Sequence, residues 1–380
     1  MSNKYPFLMR YVFFLLAVIA TIYAVTVAKN FLYPVAFGIL LAYLLFPIAN
    51  FLEKHYFPRI LSILISIILA IAVLGGGIYF IYTQVGRLVS DFPALKKQAL
   101  QNIELLQHTI GNAFGVEDKS LETLLKNWVT GFFESGSMLF NTIFSATTGT
   151  LVKIGLMPVY IFLFLYYRTK FAYFILKIVP EEKEFVTVHI LRDISTVATR
   201  YMGGVIIVVS ILCVLNSFGL YIAGMHYPII FGVISALFNF IPYFGTLMGG
   251  AVPLLFALLT GNSLALPIRV ILVFVVIQFI ENNILTPNIV GGSLKINPFF
   301  IIFSLIVGAT IWGIPGMLVI VPFLAMAKII FKNIEALHPY SYLLGTRGTR
   351  RHAINIQNIK ISFGHLKAFY RKIKRGLTRN

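Results

Sequence analysis

Residues 203–223 read GGVIIVVSILCVLNSFGLYIA, a run of 21 residues that contains no charged side chain. A helix of about 20 apolar residues is long enough to cross the hydrocarbon core of a bilayer. Other long apolar runs occur at 7–27, 31–51, 60–82, 151–167 and 266–285. These runs predict an all-α integral membrane protein, a helical bundle that crosses the bilayer several times.

The overall composition excludes a soluble enzyme. Of the 380 residues, 58% are hydrophobic and 12% are charged, whereas about a quarter of the residues of a soluble domain are charged. The first run is too long for a signal peptide and continues past Lys29 into a second run, so it is expected to stay in the protein as a span. The single cysteine, Cys213, lies within an apolar run, which excludes disulfide frameworks and cysteine-based metal sites and predicts a core residue.

The net charge of +18 is concentrated in a few segments. Residues 333–380 contain ten Lys and Arg and one acid, Glu335. Next to membrane spans, such a basic tail favours a cytoplasmic position and contact with anionic lipid headgroups over nucleic-acid binding. The segment 168–200 has six basic residues, whereas 84–137 balances five basic against six acidic residues. The predicted orientation therefore has both termini on the cytoplasmic side of the membrane, with 84–137 on the opposite side.

The segment 84–137 mixes polar and apolar residues, unlike the apolar spans around it. Apolar residues recur there at three- and four-residue steps, which is typical of one face of a helix; they are Leu88, Phe92, Leu95, Ala99, Ile103, Leu106 and Ile110, then Leu121, Leu125, Trp128 and Phe132. The pattern fits two amphipathic helices at the membrane surface, and equally a small extramembrane subdomain with both stripes turned inward.

The whole chain is predicted to divide into six parts. They are spans one to three (1–83), the extramembrane amphipathic helices (84–137), span four (138–168), a cytoplasmic amphipathic linker (169–201), the transmembrane transport core (202–331) and the basic cytoplasmic tail (332–380).

Two apolar segments of the core are broken by Pro/Gly turns. The first is interrupted at Asn239, Pro242 and Gly245, and the second at Pro315. Half-length arms around such a turn are typical of a re-entrant hairpin, which is tolerated where the freed backbone is buried in protein or lines a cavity. Each broken segment follows a full span, and the two units would enter from opposite sides, as in the inverted repeat of transporters. The hypothesis is a substrate site where the two turns face each other; the alternative is four plain short spans.

Glu281 is the only acid between Ile194 and Ile334. Helical spacing places it on one face with Gln278, Asn282 and Thr286. An ionised acid within a membrane costs at least ~2.5 kcal/mol on insertion scales, so such residues are usually paired, protonated or functional. The functional interpretation is a proton or cation site, or a polar gate. The structural alternative is an acid at the membrane edge, for which Lys295 is a better partner than the distant Arg269.

Other chemistry finds little support in the sequence. The seven histidines have no metal-ligand spacing, and no GxxxxGK[ST] loop is present, so no cofactor, no metal and no enzymatic activity are expected. The glycines at 75–77 lie inside span three and are interpreted as a site of close helix packing.

Two stretches resemble the AI-2E transporter family: Pro242-Tyr243-Phe244-Gly245, and Glu281-Asn282-Asn283-Ile284-Leu285-Thr286-Pro287-Asn288-Ile289-Val290-Gly291 followed by Ile296-Asn297-Pro298. The resemblance covers roughly 7–330. The family includes exporters of the quorum-sensing signal autoinducer-2 and members described as sodium (lithium)/proton antiporters. Its Glu-x-Asn-x-x-x-Pro-x-x-x-Gly pattern falls on Glu281, Asn283, Pro287 and Gly291, which the resemblance implies as site residues. Thr246, where many relatives have proline, and the long basic tail depart from the family pattern.

Three functions are compatible with these observations. The first is a secondary transporter that exports a small polar solute such as autoinducer-2. The second is a cation/proton antiporter in which Glu281 is the exchanging carboxyl group. The third is a non-transporting scaffold that recruits a partner through 84–137. The lipid bilayer, a small polar solute or cation, and a second copy of the chain in a homo-oligomer are the expected partners.

Overall fold

The computed structural model describes residues 7–114, 119–144, 148–261, 263–290 and 295–346, and these residues form an all-α protein. The helices are α1 (Phe7–Val27), α2 (Lys29–Lys54), α3 (Arg59–Ser90), α4 (Phe92–Phe114), α5 (Lys119–Phe144), α6 (Thr148–Tyr166), α7 (Arg168–Ile178), α8 (Glu184–Ala223), α9 (Pro228–Phe238), α10 (Phe244–Thr260), α11 (Ala265–Ile280), α12 (Thr286–Ile289), α13 (Pro298–Trp312), α14 (Ile314–Asn333) and α15 (His338–Leu344). A π-helical turn, Glu281–Leu285, joins α11 to α12. Short 3-10 turns at Glu181–Lys183 and Glu335–Leu337 precede α8 and α15.

Within the described residues, five helical segments are long and apolar enough to cross a membrane: Lys29–Lys54, Arg59–Ser90, Glu181–Ala223, Ala265–Ile289 and Ile314–Asn333. Residues 155–166 of α6 together with α7 would make a sixth, bent by 59°. Many large apolar side chains on these helices are exposed; on α3, for example, Ile68 is 63% and Val73 is 67% exposed. Exposed apolar surface on this scale is the signature of a lipid-facing helix, because lipid chains replace water as its solvent.

Helix α8 differs from the prediction of a linker followed by a separate span. It runs without interruption for 40 residues, so one helix includes the end of the predicted linker and the whole of the predicted span. The reason is that its buried side follows one stripe from Ile194 through Ala198 and Tyr201 to Val208. The apolar stripe of the amphipathic half thus continues in phase into the fully apolar half. Gly203 and Gly204 do not end the helix, since Gly204 lies against the backbone of Ile289 and Val290.

Helices α4 and α5 pack against each other and against the bundle. Leu95, Ala99, Val129 and Phe133 are buried in one cluster that also contains Phe256 of α10. The amide of Asn102 donates to the carbonyl oxygens of Leu259 and Gly261 at 2.9 Å, and Gln98 donates to that of Thr260 at 2.8 Å. The predicted stripe of α4 therefore faces inward, as in the subdomain interpretation. The predicted stripe of α5 is wrong in register: Leu125 and Trp128 are 40% and 54% exposed, and the buried side of α5 contains Val129 and Phe133.

The end of α3 is fixed to the start of α9 by a single polar contact. The Tyr227 hydroxyl donates to the carboxylate of Asp91, the residue that follows α3. Burial, the hydrogen bond and the negative charge of Asp91 raise the pKa of Tyr227 to about 12. The phenol is therefore neutral at physiological pH and keeps its proton for this bond. As a result, the end of α3, the start of α9 and the end of α10 lie together beside α4.

Helices α9 and α10 form a tight hairpin. Its arms are 11 and 17 residues long, or about 16 and 25 Å at 1.5 Å per residue, so both are shorter than a bilayer core of about 30 Å. The arms touch through small residues: the Ser235 hydroxyl donates to the carbonyl oxygen of Gly249 at 2.5 Å. A β-carbon added to Gly249 would lie 2.8 Å from the carbonyl oxygen of Ser235. The first broken segment is therefore a closed helical hairpin with short arms.

Helices α13 and α14 form the second hairpin, whose arms are 15 and 20 residues long. The second arm is longer than the half-length segment expected from the sequence, because Pro315 occupies the first turn of α14 and the helix continues to Asn333. Proline is compatible with that position, where its missing N–H would have no helical partner. The start of α13 and the end of α15 lie together, since the backbone N–H of Asn297 donates to the carbonyl oxygen of Leu344 at 2.9 Å.

Candidate functional site

Glu281 is buried in the bundle, 8% exposed, at the start of the π-helical turn. Its Oε2 accepts a hydrogen bond from the Gln278 amide at 2.6 Å. Its Oε1 accepts one from the Thr286 hydroxyl at 3.5 Å. The π-helical turn explains the second contact, because the extra residue brings position i+5 over position i. Gln278 and Thr286 thus share a face with Glu281, as the sequence predicts, whereas the Asn282 side chain is exposed.

Glu281 has no ion-pair partner among the described residues. Lys295, the partner considered from the sequence, has a left-handed backbone (φ +43°) and its carbonyl oxygen accepts a hydrogen bond from Lys328. Arg269 donates to the carbonyl oxygen of Ala265 in its own helix. The carboxylate is therefore held by one amide and one hydroxyl donor within the same helical segment.

The position of Glu281 follows from the contacts between α8 and α11–α12. A β-carbon added to Gly219 would lie 2.5 Å from Cγ1 of Val273 and 3.1 Å from Cδ1 of Ile277, whereas one on Gly204 would lie 3.1 Å from the carbonyl oxygen of Ile289. The two segments are thus antiparallel, and Glu281 lies between these two contacts. The π-helical turn and α12 extend the apolar segment to Ile289, so Glu281 is followed by eight further residues of the same segment.

The remaining residues of the family motif lie close by in sequence but point elsewhere. The Asn283 side chain is exposed and donates to the carbonyl oxygen of Phe279 at 2.8 Å. Pro287 is exposed at the start of α12, directly after the π-helical turn. Gly291 lies outside the described residues.

The tip of the first hairpin contains Asn239, Pro242 and Gly245. Gly245 is buried, and a β-carbon there would lie 2.2 Å from the carbonyl oxygen of Phe238, so only glycine fits the turn. Asn239 and Pro242 are half-buried. Phe240, between them, belongs to the hydrophobic cluster that includes Ile277, Leu285 and Ile289. The first hairpin tip is therefore brought next to the helical segment that carries Glu281.

The tip of the second hairpin lies elsewhere. Gly313, with φ +67°, and Pro315 form the turn, and the indole of Trp312 donates to the carbonyl oxygen of Val25 in α1 at 3.0 Å. A cavity of about 230 Å³ adjoins this tip and is lined by α1, α2, α13 and α14. Ile241 of the first tip packs against the middle of the second hairpin, at Leu305 and Val321. The two turns therefore have different neighbours, and only the first turn lies beside the helical segment that carries Glu281.

Two polar groups were missed by the sequence analysis. Asn216, in the middle of the run at 203–223, is 2% exposed, and its Oδ1 has no hydrogen-bond partner among the described residues. Arg168 forms an ion pair with Glu53 at 2.5 Å beside a cavity of about 550 Å³ between α2, α6, α7 and α8. A search for polar residues within apolar runs would have found Asn216, but no local signal links Glu53 to Arg168, which are far apart in the chain.

Comparison with known proteins places this geometry in context. The family model described as "AI-2E family transporter" matches residues 11–336. "Putative transport protein YrrI" of Bacillus subtilis (strain 168) is 30% identical over 84% of this chain and 91% of its own length. "Putative transport protein YueF" of the same strain is 27% identical over 80% of this chain and 84% of its own length. A protein of Borreliella burgdorferi, also named "Putative transport protein", is 25% identical over 90% of this chain and 92% of its own length.

Proposed function

The chain belongs to the AI-2E transporter family, and we propose that it is a secondary transporter that exports a small polar solute, with autoinducer-2 as the first candidate. Membership in this family and several membrane-crossing helices make it a multi-pass membrane transport protein. The solute, the outward direction and a bacterial inner membrane with cytoplasmic termini are parts of the proposal. The basic residues beyond 346, which lie outside the described residues, would then contact anionic headgroups on the cytoplasmic side.

The observation that carries the proposal is the buried carboxylate of Glu281 at the π-helical turn. Charged side chains inside a membrane bundle are costly and usually mark the path of a solute, ion or proton. π-helical turns also occur frequently at functional sites. The neighbouring tip of the first hairpin, with irregular backbone at Asn239–Tyr243, adds the kind of unwound segment that transporters use at substrate sites. The role in transport is therefore assigned to Glu281, Gln278 and Thr286 beside this tip.

A second candidate, cation/proton antiport, is supported by the same carboxylate. A carboxyl group can release a proton and accept a sodium or lithium ion in its place, and carboxylate, amide and hydroxyl oxygens are suitable ligands for hard cations. In this case Glu281 would exchange the two ions directly, and no organic solute would be required. Both candidates make Glu281 essential, so the transported species has to be measured separately.

The test uses the purified full-length chain in proteoliposomes. One arm measures the movement of labelled autoinducer-2, and the other follows an entrapped pH dye while sodium or lithium chloride is added outside. The variant Glu281→Gln keeps the size of the side chain and removes its charge. We expect Glu281→Gln to lower the transport rate about tenfold or more in whichever of the two assays gives a signal, since interactions with a charged group contribute ~1.5–3 kcal/mol. The control is Glu335→Gln, which removes an exposed acid beside α15 and should leave the rate unchanged.

Each result has a defined meaning. Movement of autoinducer-2 without a dye response supports export, whereas a dye response to sodium or lithium alone supports antiport. An unchanged rate and pH dependence in Glu281→Gln would remove Glu281 from the mechanism. If the unmodified protein moved neither species, and deletion of α4 and α5 abolished its cellular function, the scaffold hypothesis would replace transport.

A further inference from the structure

Four buried polar atoms of the described residues have no hydrogen-bond partner: Oε1 of Glu53, Nε of Arg59, Nη1 of Arg168 and Oδ1 of Asn216. The first three belong to charged side chains that make other polar contacts, whereas no hydrogen bond of the Asn216 side chain is found among the described residues. Ser62, Ser66, Ser235, Thr260 and Ser304 are also buried, but each hydroxyl donates to a backbone carbonyl oxygen. Asn216 is 2% exposed, and its amide oxygen has no partner among the described residues. Burying an amide oxygen without a hydrogen bond costs free energy, and in native proteins such groups are rare enough to require an explanation.

The position of Asn216 relates it to Glu281. Asn216 lies one helical turn before Gly219, whose neighbours on the antiparallel α11 are Val273 and Ile277. Moving along α8 from Gly219 toward Gly204 corresponds to moving along α11 from Ile277 toward Ile289. Asn216 is therefore level with the turn that follows Ile277, and this turn carries Gln278 and Glu281.

Asn216 also faces the correct side of α8. It belongs to the buried stripe of α8, together with Val208, Val209 and Leu212. These three residues form one hydrophobic cluster with Ile277 of α11 and Ala236 of α9. On the other side of Asn216, Ser217 is in close contact with Gly232 of α9. The Asn216 amide thus lies where α8, α9 and α11 meet.

The Glu281 carboxylate is the charged group of this cluster, and the Asn216 amide adds one acceptor, Oδ1, and one donor, Nδ2. The nearby donors, the Gln278 amide and the Thr286 hydroxyl, already donate to the Glu281 carboxylate. The carboxylate oxygens and Asn216 Oδ1 can only accept hydrogen bonds or coordinate a cation. An anion would meet a negative charge and an electron-rich oxygen without an opposing base. The arrangement favours ligands that present hydrogen-bond donors or a positive charge.

We propose that Asn216 and Glu281 together form a polar site in the core of the bundle, and that the negative charge of Glu281 makes its ligand a hydroxyl-rich neutral solute or a monovalent cation, not an anion. This inference rests on the proposed function, because it names the class of ligand for the same site. It adds a residue of α8 to a site that otherwise comes from α11, α12 and the first hairpin tip. The ligand would then bridge two packed helices.

The test measures thermal unfolding of the purified full chain in detergent with four probes: autoinducer-2, lithium chloride, choline chloride and choline phosphate, the last being the choline salt of inorganic phosphate. We expect autoinducer-2 or lithium to raise the Tm, and choline phosphate to give no rise beyond choline chloride. In Asn216→Leu, the Tm without ligand should rise by about 1–4 °C, because an amide without a hydrogen bond is replaced by an apolar side chain of similar size. The ligand-induced rise should be lost or need at least about tenfold more ligand.

Two further variants make the result decisive. Asn333→Leu, the same exchange at an exposed residue whose amide bonds only to its own helix, should keep the full ligand response. Asn216→Ala removes the same oxygen without adding bulk, so it replaces Asn216→Leu if the leucine prevents folding. A Tm rise with phosphate, no rise with either autoinducer-2 or lithium, or a full response in both Asn216 variants would overturn the proposal. If Glu281→Gln abolishes the response while both Asn216 variants keep it, only the role of Asn216 fails and the proposed function stands.

Discussion

Gly308 and Gly316 set the distance between the two arms of the second hairpin. A β-carbon on Gly316 would lie 2.0 Å from the carbonyl oxygen of Gly308, a backbone atom that cannot move aside by rotation. We expect Gly316→Ala to force the arms apart and to lower the free energy of unfolding by ~1–3 kcal/mol, the usual cost of overpacking. Gly75→Ala is the control: no atom lies within 4 Å of its added carbon, so a neutral or slightly stabilising effect is expected. Equal losses in the two variants, measured by unfolding in detergent, would contradict this account.

Single residues also show what the sequence could and could not indicate. Glu281 was predicted from the sequence because one acid in a long apolar stretch is conspicuous. Its hydroxyl partner Thr286 was placed on the correct face, although the π-helical turn was not foreseen. Asn216 was overlooked because the sequence was searched for charged residues within apolar runs, and Asn216 carries no charge. The glycines at 75–77 were expected to allow close packing, yet nothing in the described residues lies within 4 Å of their added carbons, since composition alone cannot say whether a second helix is nearby.

At the scale of elements, an ion pair holds the bend between α6 and α7. Arg168, the first residue of α7, contacts Glu53 of α2, and the two side chains are 26% and 19% exposed. Arg59 of α3 donates to the carbonyl oxygen of Leu165 at 3.0 Å in the same place. In a double-mutant cycle with Glu53→Gln and Arg168→Gln, we expect a coupling free energy of ~1–3 kcal/mol, because each single change leaves a charge without its partner in a half-buried position.

The control for this cycle is the pair Lys96–Glu134 on α4 and α5, with an N–O distance of 3.2 Å. Glu134 is 68% exposed there, so water and salt screen the attraction and a coupling below ~1 kcal/mol is expected. Comparable coupling at both pairs, measured by denaturant unfolding in detergent, would show that burial does not strengthen the Glu53–Arg168 contact.

Element boundaries were the least predictable part of the fold. The change from polar to apolar composition near residue 201 suggested two elements, but the helical period of the buried stripe in α8 does not change there. The composition of a segment reflects the solvent around it, whereas the spacing of its buried residues reflects its packing. In α8 the composition changes near residue 201 but the spacing does not, and the helix continues. In the same way, the second arm was expected after the turn at 313–316 and up to Ile330, whereas α14 includes Pro315 in its first turn and ends at Asn333.

For the whole molecule, the contacts sort the helix ends into two groups. Asp91, Tyr227 and Gly261 lie with α4 at one end, and the second group contains Glu53, Arg59 and Arg168. Charge counts predict that the first group is periplasmic. In a Cys213→Ser background, Glu134→Cys should react with a membrane-impermeant maleimide on intact spheroplasts, whereas Glu181→Cys should react only after permeabilisation. The reverse pattern of labelling would require an inverted orientation.

The arrangement of the two broken segments depended on long-range packing that no local pattern encodes. Pro242 and Pro315 identified both turns, and the hairpins enter from the two opposite groups of helix ends. The sequence did not reveal that Trp312 would reach Val25 while Ile241 packs against the middle of the second hairpin. These contacts involve α1, α13, α14 and the turn between α9 and α10, so they follow from the assembled bundle and from no single segment.

The unbroken α8 has a mechanical consequence. A helix of 40 residues is roughly 60 Å long, and no break lies between its amphipathic half and the part that carries Asn216. If it tilts as a rigid rod by about 5° around its centre, each end moves by about 2.6 Å, in opposite directions. A spin label near Glu184 would therefore register displacements that originate beside Asn216, well away from the ligand, and would report them without disturbing the polar interior.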